Sequence, residues 1–157
     1  MKLIKIPEDK YYDYRLQAMF DCYKWDPQFC DSNTLSKYVL VLSKEENEDV
    51  IRLTENLDKE TRLAEEYLNK NIKIAKKLAL PKKILEQIPN MQNYDKNQNI
   101  RLMRYDFHPD INGSWVVTEV NSDVPGGFAE SSLLSELARK TINMPELEYT
   151  SFGEKMV

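Results

Sequence analysis

The chain has 157 residues, of which 41% are hydrophobic and 31% charged, with a formal net charge of −4 and a mean hydropathy of −0.61. A single domain spanning residues 1–157, with a core of its own, is expected, and the acidic balance argues against a nucleic-acid partner. No run approaches the roughly 18 apolar residues of a membrane-spanning helix, and Met1–Pro7 is too short and too charged for a secretory signal, so a cytoplasmic location and no membrane partner are expected.

The first element in chain order is a helix after Pro7, which suits a helix start, with Glu8 and Asp9 complementing the positive helix end. Tyr12, Leu16, Met19, Phe20 and Tyr23 recur at helical spacing and are expected to face the core. Cys22 and Cys30 have no partners at metal-ligand spacing and are expected to be inert, reduced thiols. Asp26-Pro27 breaks the helical pattern, Asp31-Ser32-Asn33 continues a loop, and Tyr38-Val39-Leu40-Val41-Leu42 reads as strand or short helix.

Ser43 followed by Glu46 is a capping-box signal. From there a helical period runs through Val50, Leu53, Leu57, Ala64, Leu68, Ala75 and Leu78 to Pro81, as one long helix or as two with a break near Asn56–Asp58. A short amphipathic turn through Ile84, Leu85 and Ile88 follows, and residues 90–99 read as a loop. Charge is uneven along the chain: residues 1–60 carry 9 basic and 13 acidic side chains, residues 61–100 carry 8 and 4, and residues 101–157 carry 5 and 9. The positive middle block suits a solvated lysine-rich helix face, a phosphate site or contact with an acidic partner.

Ile100–Phe107 and Ser114–Asn121 read as two strands, and Asn112-Gly113 between them is a strong hairpin signal because both residues tolerate positive φ. With those two as the loop, Asp106 faces Glu119 and Arg104 faces Asn121, all on one side of the hairpin. Pro109 beside the turn leaves room for a longer loop; a one-residue slip would scatter the four side chains. Two carboxylates directly opposite each other repel, and a cation between them resolves the conflict. That cation is either Arg104 itself, in an ordinary surface ion-pair cluster, or a metal: carboxylate and amide oxygens are hard ligands suited to Mg²⁺, and Arg104 beside them offers a forked donor set for phosphate. Downstream, Pro125-Gly126-Gly127 precedes an amphipathic helix over Phe128–Lys140. It is either a plain turn or a set of backbone N–H groups presented to an anion, with Glu130 in the first helical turn where an acid is favoured.

Arg104-Tyr105-Asp106 and the run Glu119-Val120-Asn121-Ser122-Asp123-Val124-Pro125-Gly126-Gly127-Phe128-Ala129-Glu130 resemble the R-x-D and E-x-N-x-D-x-P-x-x-x-x-E signature of the glutathionylspermidine synthase-like, circularly permuted ATP-grasp family. Members of that family use ATP to turn a carboxylate into an acyl phosphate that an amine attacks to form an amide. The resemblance implies Mg²⁺ ligation by Asp106, Glu119 and Asn121 and contact of Arg104 with the transferring phosphoryl group. It also implies a substrate border formed by Asp123, Pro125, Gly126, Gly127 and Glu130. The fold it implies is α+β: N-terminal helices, then an antiparallel hairpin and a helix, as the leading part of an ATP-grasp-type synthetase domain.

The family's full domain is several times longer, so the chain is expected to be the N-terminal fragment of a longer ATP-grasp ligase, inactive alone. Mg²⁺ and ATP would serve the complete enzyme, small-molecule carboxylate and amine would be its substrates, and a C-terminal ATP-grasp half would be a partner. The alternative is a non-catalytic binding or assembly module that works through a partner chain and uses the long helix as its contact surface.

Overall fold

The computed structural model describes residues 1–93, 101–122, 124–128, 130–149 and 151. It is a mixed α and β architecture of helices with small antiparallel sheets. The chain divides into two compact units, one of Met1–Glu46 with Gly126–Val157 and the other Asn47–Pro125.

In the first unit, β1 (Lys2–Lys5) pairs antiparallel with β4 (Tyr38–Val41), Ile4 opposite Val39 and Leu3 opposite Leu40. The apolar run at Tyr38 is therefore a strand. Its partner β1 escapes sequence reading because four residues flanked by lysines carry almost no period. The Ile6 N–H continues the ladder by donating to the Lys37 carbonyl at 2.8 Å. Alternation of side chains then gives the two faces different fates: Leu3 and Leu40 are exposed, while Val39 packs on a core of Ile6, Tyr14, Ala18, Cys22, Leu35, Leu134 and Ala138.

The helices α1 (Glu8–Phe20) and α5 (Ser135–Thr141) contact each other, and the small residues Ala18 and Ala138 are both buried in that core. Their lack of bulk lets helix backbones approach closely. Here the structure corrects the expected core stripe: Tyr12, Phe20 and Tyr23 are exposed, and the face that is buried runs Tyr14, Ala18, Cys22. Both faces of α1 carry aromatics, so periodicity alone did not rank them; the decisive residue is Ala18, fully buried where a larger side chain would hold the partners apart. A short hairpin of β2 (Gln28–Phe29) and β3 (Ser32–Asn33) leads out of the helix. It is tied back by the Tyr11 hydroxyl, which donates to the Leu35 carbonyl at 2.6 Å and accepts from Asn33.

The unit boundary falls inside α2 (Lys44–Lys70), a helix of 27 residues without a break at Asn56–Asp58. Its start is the expected capping box: the Ser43 N–H donates to the Glu46 carboxylate at 2.8 Å, and the Glu46 N–H donates to the Ser43 hydroxyl at 3.2 Å. Acids at Glu45 and Glu46 and a base at Lys70 match the helix dipole at each end. The break comes instead at Asn71, whose backbone leaves the helical region before α3 (Ile72–Ala75) resumes. A 3₁₀ turn over Lys76–Leu78 and a left-handed residue, Ala79, then lead through Pro81 into α4 (Lys82–Gln87). A 3₁₀ helix over Ile88–Asn93 takes the first residues of the expected 90–99 loop, and residues 94–99 of it lie outside the described residues. The second unit ends with β5 (Arg104–Pro109) and β6 (Trp115–Asn121), paired antiparallel.

Ile6 is 1% exposed in the core of the first unit, whereas Leu3, three residues earlier on the same stretch, is 65% exposed. Ile6→Ala should therefore destabilise the protein by about 2–5 kcal/mol and Leu3→Ala by no more than about 0.5 kcal/mol, read as a difference in urea midpoints.

Candidate functional site

The hairpin pairs Arg104 with Asn121, Tyr105 with Val120 and Asp106 with Glu119, as the sequence register requires. It reaches that register by a different route. The loop is not the two-residue Asn112-Gly113 turn: Pro109 pairs with Trp115, leaving Asp110–Ser114 as the connection. Near the loop Phe107 faces Val117, and a bulge then leaves Thr118 without an opposite residue, which restores the register by Asp106. The Thr118 hydroxyl donates to the Asp106 carbonyl at 3.1 Å and secures the bulge.

Asp110 builds the wider loop. Its carboxylate accepts the N–H groups of both Asn112 and Ser114 at 2.8 Å, while Gly113 sits at φ +83°, where a side chain would be strained. Those two backbone donors, Ser114 foremost, hold the Asp110 carboxyl below its ordinary value of 3.8. The signal was present in sequence as an Asp two residues before Asn112, but the Asn-Gly pair outweighed it.

The face shared by the four side chains is organised by Arg104. Its Nε and Nη2 donate to the two oxygens of Asp106 at 2.8 and 3.0 Å, and Nη2 lies 3.9 Å from Glu119 Oε1. The side chains of Arg104, Asp106 and Glu119 are 37%, 35% and 59% exposed, so this is a solvent-facing cluster. The Arg104 fork thus relieves the repulsion between the two acids within the hairpin itself. Among the described residues no group of three or more His, Cys, Asp or Glu is placed to hold a metal. The oxygens that this face would offer a cation are those of Asp106, Glu119 and the Asn121 amide, a set of hard ligands. Each Asp106 oxygen that accepts from Arg104 retains a second lone pair for a metal.

The opposite face of β5 is anchored to α2. Tyr105 alternates with Arg104 and Asp106 and so points the other way, where its hydroxyl lies 3.1 Å from Thr61 Oγ1. Just before the strand, Arg101 donates to Glu65 at 2.9 Å and approaches Asp58 at 3.5 Å, while Asp58 also accepts from Arg62 at 2.7 Å. These bonds, Arg62 foremost and Arg101 after it, hold the Asp58 carboxyl below its ordinary range. Arg101 was missed in sequence because its partners Asp58 and Glu65, with Arg62 between them, form an i, i+4, i+7 polar row that reads as a solvated helix face.

The substrate-border residues fall in different places. Pro125 belongs to the second unit, Gly126, Gly127 and Glu130 to the first, and Asp123 lies outside the described residues. Gly127 adopts φ +99°, and its carbonyl accepts the Ser131 N–H at 2.9 Å, opening a π-helical turn over Glu130–Leu134. Glu130 is bound by Lys24, which also reaches Asp26. Burial of the Lys24 side chain opposes its charge, but hydrogen bonds to Asp26 and Glu130 outweigh that and hold its pKa above the ordinary value.

No family model, curated protein or solved structure matches the chain. What these residues can do therefore follows from their register and their chemistry.

A pH dependence follows from Asp110. Because its folded pKa is depressed, its contribution to loop order is present above about pH 3.8 and is lost as pH falls through the lower folded value. Amide exchange protection at Asn112 and Ser114 should fall across that window, and Asp110→Ala should show low protection at every pH.

Proposed function

We propose that this chain is the metal- and substrate-bearing part of an ATP- and Mg²⁺-dependent carboxylate–amine ligase of the glutathionylspermidine synthase-like, ATP-grasp kind. The observation that carries the reading is the register of the hairpin, in which Arg104 opposes Asn121 and Asp106 opposes Glu119 on one face. Asp106, Glu119 and Asn121 are the residues that would hold the metal, and Mg²⁺ bound there supplies positive charge to polyphosphate oxygens. The role of Arg104 is to aim a planar pair of donors at the transferring phosphoryl group, kept in orientation by its two bonds to Asp106. Asp123, Pro125, Gly126, Gly127 and Glu130 are assigned to the substrates by the same sequence signature.

Arg104 also sets an expectation for the free site. A guanidinium bound to Asp106 opposes a bare divalent ion, while a phosphate placed between arginine and metal satisfies both. Mg²⁺ or Mn²⁺ alone should therefore bind weakly, and more tightly when a polyphosphate is present.

A second reading, a non-catalytic assembly module acting with a partner chain, is favoured by α2: none of its 27 residues is buried, and Ile51, Leu63 and Tyr67 are more than half exposed. Nucleotide binding separates the two readings.

The test is a Mn²⁺ titration followed by paramagnetic broadening of backbone resonances, with and without ATP. Broadening should centre on Asp106, Glu119 and Asn121, and ATP should sharpen the metal dependence. Glu119→Gln should weaken binding about tenfold or more while the hairpin stays folded, because the substitution replaces an anionic ligand by a neutral amide and removes a like-charge pair together. Broadening that ignores the hairpin, or that Glu119→Gln leaves unchanged, would end the ligase reading.

A further inference from the structure

The stretch from Lys70 to Ile88 in the second unit carries an exposed surface that neither reading above uses. It contains six lysines, Lys70, Lys73, Lys76, Lys77, Lys82 and Lys83, all exposed, and no acid occurs between Glu66 and Glu86. Lys70 pairs with Glu66 at 2.6 Å and Lys82 reaches Glu86 at 3.7 Å. Among the described residues Lys73, Lys76, Lys77 and Lys83 form no ion pair. Ala75 is fully buried, which turns the neighbouring Lys73, Lys76 and Lys77 toward water. The left-handed Ala79 and Pro81 divide the lysines between two short helical pieces, and each piece also exposes a large apolar side chain, Leu78 at 53% and Ile84 at 52%.

The kind of positive charge separates the occupants this surface could take. Recognition of carboxylates or phosphates on a protein or nucleic acid favours the planar, forked donors of arginine, and lysine is depleted in protein interfaces. No arginine occurs between Arg62 and Arg101. Diffuse attraction to a charged sheet of headgroups does not need a fork, and it gains from apolar side chains that reach the boundary between headgroups and acyl chains.

We propose that the Lys70–Ile88 surface docks on an anionic lipid bilayer, with the lysines among the headgroups and Leu78 and Ile84 at the apolar boundary. Among the described residues no helix is long and apolar enough to cross a membrane, and a peripheral contact of this kind needs none.

The test sediments the full chain with vesicles of pure phosphatidylcholine and with vesicles containing about 30% phosphatidylserine, at about 0.1 M salt. Partition onto the anionic vesicles should exceed that onto neutral ones by about tenfold or more and fall steeply as salt is raised. The combined variant Lys73→Gln, Lys76→Gln, Lys77→Gln, Lys83→Gln should lower it about tenfold, and Leu78→Ser with Ile84→Ser about threefold. All six positions are exposed, so circular dichroism should be unchanged; if a combined variant loses structure, single Lys77→Gln and Leu78→Ser variants should give the same two effects in smaller measure. Equal binding to both vesicle types, or anionic binding that survives either class of variant, overturns the proposal. So does tighter binding to polyglutamate or to an RNA oligonucleotide than to anionic vesicles, which would assign the surface to an acidic protein or to nucleic acid.

Discussion

Side chains on a β-strand alternate between faces, so the register of a hairpin decides which of them meet. In this chain that decision passes through Thr118. The Asp110–Ser114 loop sets the pairing one residue away from the arrangement in which Asp106 opposes Glu119, and the unpaired Thr118 takes up the difference. Without the bulge, the two carboxylates would lie on opposite faces and Arg104 could not serve both. The bulge also increases local twist, immediately beside the acidic pair.

Magnitudes show why this face is not explained by stability. The Arg104–Asp106 pair is more than a third exposed on both sides, and exposed pairs contribute about 0–1 kcal/mol. Like charges directly across a sheet cost a similar amount, so the cluster comes close to neutral in stability. The attachment of the hairpin lies on its other face, in the Tyr105–Thr61 contact and in the Arg101 bridge to Glu65 and Asp58 just before the strand. One face holds the hairpin to α2, which leaves the other available for ligand chemistry.

What the sequence made legible follows from how local each signal is. The capping box at Ser43 and Glu46, the strand at Tyr38 and the opposition of Asp106 to Glu119 are written in residues a few positions apart or joined by one turn. The buried face of α1 was misread because its choice depends on α5, more than a hundred residues later, and on the small size of Ala18. Strand β1 was invisible for the same reason, since its partner begins at Tyr38. In the hairpin loop, the Asn-Gly preference for a tight turn lost to Pro109 and to the two backbone donors gathered by Asp110. The pairing survived that error because the bulge compensated for it, a feature that no residue type in the strand announces. Arg101 was missed because a charge pattern on a helix does not reveal whether water or another chain segment faces it.

The two cysteines, alike in sequence, become unlike once the chain folds. Cys22 is buried in the core of the first unit, where burial raises its thiol pKa, while Cys30 is exposed beyond the β2 strand. A thiol-directed reagent in water meets Cys30 directly and reaches Cys22 only when that core opens. The slower of two alkylation rates is thus a clock for opening of the first unit, one that runs in the intact chain without denaturant and requires no substitution. It would time the motions of the unit that carries Glu130 separately from those of the unit that carries the hairpin.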